Sequence, residues 1–83
     1  MEKQLKLIWD FRGLDSEKTA EHHTTHLKEY VRQHQKSYLC GHQKINHSHS
    51  VAFLVVPENE MKPIRDQLRP HRGEWYTPSD AHE

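Results

Sequence analysis

Apolar residues recur at every second position near the start of the chain, which is the period of a β-strand with one buried face. The apolar positions are Leu5, Leu7, Trp9 and Phe11, and Gly13 ends the strand. The run 51–56 is apolar throughout, as in a central strand that is covered on both faces. Two further strands are predicted over residues 38–46 and 74–77.

Two segments carry the period of an amphipathic helix. From residue 16 to about residue 35 there is no Gly or Pro, and Ala20, Leu27 and Val31 recur at helical spacing. Asp15 or Ser16 is expected to cap this helix through a side-chain oxygen. A shorter helix is predicted to begin around residue 58 or 59 and to end at Pro70.

The resulting order, β-α-β-β-α-β, resembles the ferredoxin-like fold. That resemblance implies an α+β domain whose four-stranded antiparallel sheet carries both helices on one face. A single domain is expected over residues 1–77, followed by a frayed tail over residues 78–83.

In that fold the third strand would leave apolar residues on the helix-free face, joined by Ile8. They are either Val51, Phe53 and Val55 or Ala52, Leu54 and Val56. Because an exposed apolar sheet face usually marks an interface, we predict a homodimer packed through it. The alternative is that long side chains and the tail cover this face.

Composition narrows the class of protein. Twelve Lys and Arg residues balance twelve Asp and Glu residues, which argues against binding to nucleic acid or to an anionic membrane. Cys40 is the only cysteine, so an internal disulfide is excluded and a reducing cytoplasm is expected. No apolar run approaches the roughly 20 residues that span a bilayer.

Nine of the 83 residues are histidine, and imidazole binds transition metals. His22 and His26 are one helical turn apart and can face the same ion, whereas His47 and His49 form a His-x-His pair at a turn. These four residues are the predicted ligands for zinc, nickel or copper. The alternative is that they are ordinary solvated side chains. Each pair alone is incomplete, because structural zinc takes four ligands and catalytic zinc takes three and a water.

The segment 40–47, the apolar strand after it and the later Arg72-Gly73 resemble the C-terminal ACT-like domain of the nickel-responsive repressor. That resemblance implies a ferredoxin-like fold and a nickel site at a subunit interface. Position by position, His42 matches a ligand, whereas Lys44 and Ser50 stand where a histidine and a cysteine belong. The DNA-binding arm of that family is missing.

An enzyme is the alternative function. Small ferredoxin-like proteins that dimerise face to face form α/β barrels, and this resemblance implies a cofactor-free monooxygenase or isomerase. His23, His26 and Tyr30, with Asp10, are the candidate acid–base residues. The helical zinc-protease motif is absent, because its glutamate is replaced by His23.

A second candidate site is a dense cationic turn. Arg69, His71 and Arg72 could bind a carboxylate or a phosphate, unless Arg72 pairs with Glu74 or Asp10. Taken together, the sequence predicts a small cytoplasmic binding or regulatory module with a histidine metal site. A barrel enzyme and a protein-interaction module are the alternatives.

Overall fold

The computed structural model describes residues 3–76, which form four strands and two helices. The elements in chain order are β1 (Gln4–Arg12), α1 (Ser16–Gln33), β2 (Leu39–Asn46), β3 (His49–Pro57), α2 (Glu58–Leu68) and β4 (Arg72–Tyr76). The sheet order is β2-β3-β1-β4, and every neighbouring pair is antiparallel. An α+β fold with a four-stranded antiparallel sheet and two helices is therefore confirmed.

One face of the two central strands meets both helices. Leu54 pairs with Leu7 across β3 and β1, and these residues share a buried cluster with Leu27 of α1 and Ile64 of α2. Leu27 and Leu54 are almost completely buried. Burial of one such leucine side chain contributes about 1.5–3 kcal/mol to the stability of the fold. The residues of this core are those that the apolar periods of the sequence predicted to be buried.

The ends of several elements differ from the predictions. The second strand begins at Leu39, and the last strand begins at Arg72, two residues before its predicted start. Asp15 occupies the position before α1 but makes no capping hydrogen bond through its side chain. The Ser16 hydroxyl instead donates to Ser50 Oγ at 3.3 Å, so the capping prediction is wrong. Residues 77–83, including the predicted tail, lie outside the described part of the chain.

The helix-free face of the sheet is less exposed than the sequence suggested. Ile8, Val51 and Val55 point to this face, and each is at most 4% exposed within a single chain. Phe53 is half-buried, and the Lys6 ammonium lies 4.6 Å from the centre of its ring. The expected apolar surface is therefore largely covered by neighbouring side chains, as in the alternative for this face, and the homodimer itself stays a prediction.

A glycine on the edge strand helps to cover this face. A Cβ atom added to Gly41 would lie 3.0 Å from Cζ of Phe53, which is closer than ordinary packing allows. The missing side chain thus lets the Phe53 ring lie over the backbone of β2. Neither of the two helices between residues 3 and 76 has the length and hydropathy needed to cross a membrane.

Candidate functional site

The first histidine pair lies on the outer surface of α1. His22 and His26 are both exposed, and their rings meet edge to face with centroids 4.7 Å apart. The two Nε2 atoms are 3.1 Å apart. The one-turn spacing on a regular helix therefore brings two imidazole nitrogens together without help from any other element.

A separation of 3.1 Å suits two kinds of interaction. Without an ion, one ring must donate an N–H to the lone pair of the other. With an ion, both nitrogens present lone pairs to it at about 2.0–2.1 Å, and two such ligands lie roughly 2.9–3.4 Å apart for ordinary ligand angles. The pair is thus already spaced as two ligands of one metal ion.

A carboxylate stands behind this pair. Glu29 Oε1 is 3.8 Å from Nδ1 of His26, the ring nitrogen that faces away from His22. At this distance Glu29 makes no hydrogen bond to the ring and acts only through its charge. That charge favours a cation beside the ring.

The second predicted pair does not join the first. His49 lies on the helix-free face, where its Nε2 is 2.9 Å from Asp10 Oδ1. His47 is exposed in the turn between β2 and β3. The α1 pair and His49 therefore occupy opposite faces of the sheet. Within residues 3–76, no group of three or more His, Cys, Asp or Glu side chains is arranged to hold a metal ion.

Asp10 is the centre of a charged network on the helix-free face. Arg72 donates to both of its carboxylate oxygens, at 3.0 and 3.3 Å, and also to Glu74 at 2.8 Å. The Arg72 guanidinium, assisted by His49, lowers the pKa of Asp10 to about 2 despite partial desolvation. Both partners that the sequence offered for Arg72 are therefore used.

The residues predicted to bind an anion, Arg69, His71 and Arg72, make contacts within the chain. The Arg72 guanidinium already binds two carboxylates, whereas the His71 ring uses Nδ1 to accept the backbone N–H of Asp10 at 2.8 Å. Arg69 takes a left-handed conformation at the end of α2, with φ of 54°. The three residues thus have separate structural roles, and the guanidinium charge is balanced within the chain.

His23 is half-buried and packs against two aromatic rings. Its ring centroid is 4.8 Å from that of Trp9 and 5.5 Å from that of Phe11. Its Nε2 is buried and has no hydrogen-bond partner among the described residues. Desolvation, together with the neighbouring His26, His71 and His22, lowers the pKa of His23, so the ring is neutral at neutral pH.

The other candidate acid–base residues are dispersed. Tyr30 donates its hydroxyl proton to Gln67 of α2 at 2.9 Å. Open surface grooves of about 310–560 Å³ lie along residues 3–76; Tyr30 lines one of them, whereas neither His23 nor His26 lines these grooves. An acid or base needs substrate within hydrogen-bond reach, and these grooves do not provide it at either histidine.

The positions that resemble the nickel site are close together but are not all ligands. Lys44 pairs directly with Ser50, and His42, two residues earlier in β2, lies on the same face of the strand. Ser50 is completely buried and accepts a hydrogen bond from Ser16. The Lys44 ammonium lies 3.9 Å from Glu17. Of the three matched positions, only His42 carries an imidazole or thiol ligand.

Comparison with known proteins adds no family to this picture. No protein-family model, no curated protein and no solved structure matches the chain significantly. The site therefore has to be judged on its own geometry. The central place of Asp10 could not be read from the sequence, because Asp10 is one of several polar residues that alternate with the apolar ones along this strand.

Proposed function

We propose that this chain is a ferredoxin-like binding module that holds a divalent transition-metal ion through His22 and His26. The observation that carries the proposal is the 3.1 Å separation of the two Nε2 atoms on an exposed helix face. The element order and the β2-β3-β1-β4 sheet support the ferredoxin-like assignment. The single free cysteine, Cys40, supports a cytoplasmic location.

The chemistry of the pair selects the class of metal. Neutral imidazole suits zinc, nickel and copper, whereas calcium and magnesium prefer oxygen ligands. Two nitrogens leave at least two positions on the ion open. The proposed role is therefore binding or regulation that depends on what fills those positions.

The sequence also predicted a homodimer through the helix-free face. Its support is reduced to half-buried Phe53 and to Leu39 and Ile45 of β2, which are 52% and 49% exposed. The apolar residues Ile8, Val51 and Val55 are covered within one chain. We therefore do not rest the function on that interface.

The metal proposal is tested with protein prepared without an affinity tag. Zinc, nickel and copper are titrated by calorimetry at pH 7.5, using wild type and the variants His22→Gln, His26→Gln and His47→Gln. We expect one saturable site that either substitution on α1 removes, because one imidazole cannot chelate. His47→Gln is the matched control, since it removes an exposed histidine outside the pair, and it should bind as wild type does.

The opposite pattern would overturn the proposal. Binding that survives both α1 substitutions, or binding that only His47→Gln removes, would place the metal elsewhere. A wild type that binds none of the three ions at millimolar concentration would exclude a metal function for this pair.

A further inference from the structure

The metal site on α1 is incomplete within one chain. His22 and His26 supply two nitrogens, and no third suitable side chain joins them among residues 3–76. Zinc in a structural site takes four protein ligands in a tetrahedral arrangement. We propose that a second copy of this chain supplies the other two, so that one ion joins two α1 helices through four histidines. This inference rests on the proposed function.

The position of the pair along α1 suits such a joint. The helix runs from residue 16 to residue 33, and the two histidines are centred on residue 24, almost at its midpoint. A twofold axis through that point overlaps two antiparallel α1 helices along their whole length of about 27 Å. His22 of each chain then faces the partner's His26, which places all four Nε2 atoms around one point.

Charged residues beside the pair favour the antiparallel arrangement. Lys18 precedes His22 by four residues and Glu29 follows His26 by three, and both are exposed. At 100° per residue, these two side chains fall within about 20° of each other, on the same side of the histidines. In the antiparallel arrangement, Glu29 lies opposite position 19 of the partner, next to the partner's Lys18. Two symmetric ion pairs would therefore flank the metal.

A parallel arrangement lacks this match. It would set Lys18 at the level of the partner's Lys18 and Glu29 at the level of the partner's Glu29. In the antiparallel arrangement the positive end of each helix dipole also lies beside the negative end of the other, which is favourable. Charge complementarity therefore selects one geometry for the second copy.

The same surface explains why the metal would control the association. The exposed side chains around the pair are polar: Lys18, Thr19, Thr25 and Glu29. Such a surface gains little from burial of apolar area, and exposed ion pairs contribute only about 0–1 kcal/mol each. The four metal–nitrogen bonds would supply most of the association energy, so removal of the ion should separate the chains.

The test combines sedimentation velocity with zinc titration of untagged protein. We expect zinc to double the mass of the metal-free species, one ion to bind per two chains, and a chelator to reverse both changes. His22→Gln and His26→Gln should abolish the doubling, with circular dichroism used to confirm that each variant is folded. His47→Gln should behave as wild type does.

A charge exchange tests the orientation. Lys18→Glu should weaken the zinc-dependent dimer several-fold at low salt, because it sets two acids against each other in the antiparallel arrangement. Adding Glu29→Lys to that variant should restore the dimer, because each pair is then opposite in charge again. A double variant that is no better than Lys18→Glu would overturn the antiparallel arrangement.

The outcomes separate this inference from the function on which it rests. One zinc ion per chain with no change in mass would overturn the four-histidine joint and would leave the metal proposal intact. No zinc, nickel or copper binding would overturn both.

Discussion

Replacing His23 by leucine tests whether this half-buried imidazole opposes folding in acid. The ring is packed against Trp9 and Phe11, and its Nε2 is buried without a hydrogen-bond partner among the described residues. Leucine has a similar volume, suits a helix and has no polar atom to satisfy. The substitution therefore removes the polar cost and keeps the space filled.

The magnitude at neutral pH follows from two opposing effects. An unsatisfied buried polar atom costs about 1–3 kcal/mol, and its removal should stabilise the fold. Loss of the ring contacts with Trp9 and Phe11 costs about 0.5–1.5 kcal/mol. We expect His23→Leu to raise the free energy of unfolding by about 1 kcal/mol at pH 8.

The difference in the free energy of unfolding between His23→Leu and wild type should increase in acid. The pKa of His23 is lowered in the folded chain, chiefly by desolvation, so the unfolded chain binds the proton more tightly. Wild type keeps its full stability above the unfolded value of about 6.5 and loses it as the pH falls toward the folded value. In that window the advantage of the leucine variant should grow by at most about 1.4 kcal/mol per pH unit.

The measurement is urea unfolding at pH 8, 7, 6 and 5, followed by tryptophan fluorescence in the presence of a chelator. His47→Leu, in the exposed turn, controls for the loss of one imidazole charge. A difference between wild type and His23→Leu that stays constant or narrows between pH 7 and pH 5 would refute the argument from burial.

Three further predictions concern the sheet and its turns. Asp10→Asn should lower the free energy of unfolding by about 1 kcal/mol at pH 7, since the pKa of about 2 implies roughly 2 kcal/mol before solvent screening. In urea titrations the difference from wild type should close as the pH falls from about 4 through 2, because the carboxylate contributes only while ionised; a difference that persists there would contradict the linkage. Phe53→Glu should leave the sizing-column elution of metal-free protein unchanged, and a shift to a smaller species would restore the homodimer through the helix-free face. Gly13 has φ of 111°, so Gly13→Ala should destabilise the fold by roughly 1–3 kcal/mol in thermal unfolding, and an unchanged midpoint would show that this turn relaxes freely.

The candidate site could be anticipated only in part. The His22–His26 spacing on a helix was visible in the sequence, because one helical turn is a local property of the chain. The separation of His49 from that pair was not visible in the sequence. It depends on the face of the sheet on which His49 lies after the turn that follows β2. His49 is 39 residues from Asp10 in sequence, and their contact follows from the register of β1 against β3.

For a similar reason, the sequence left open whether the helix-free face is covered. The alternation of residues 5–11 correctly identifies a strand, but it does not say what covers the outward side chains. The covering contacts join different strands: Lys6 lies over the ring of Phe53, and that ring lies over Gly41. Such contacts can be predicted only when the order of the strands in the sheet is known.

The sequence by itself determined the elements and the α+β class, because the periods of 2 and 3.6 residues are local and record which side chains must be buried. The backbone geometry of Gly13 and Pro70 likewise indicated where the first strand and the second helix end. Only the tertiary structure decided which histidines act together. It joined Asp10, His49 and Arg72 from three different strands and packed His23 against two aromatic rings. It left His22 and His26 exposed on α1, in contact with each other. Contacts of that kind depend on register and packing between distant segments, which no local period encodes.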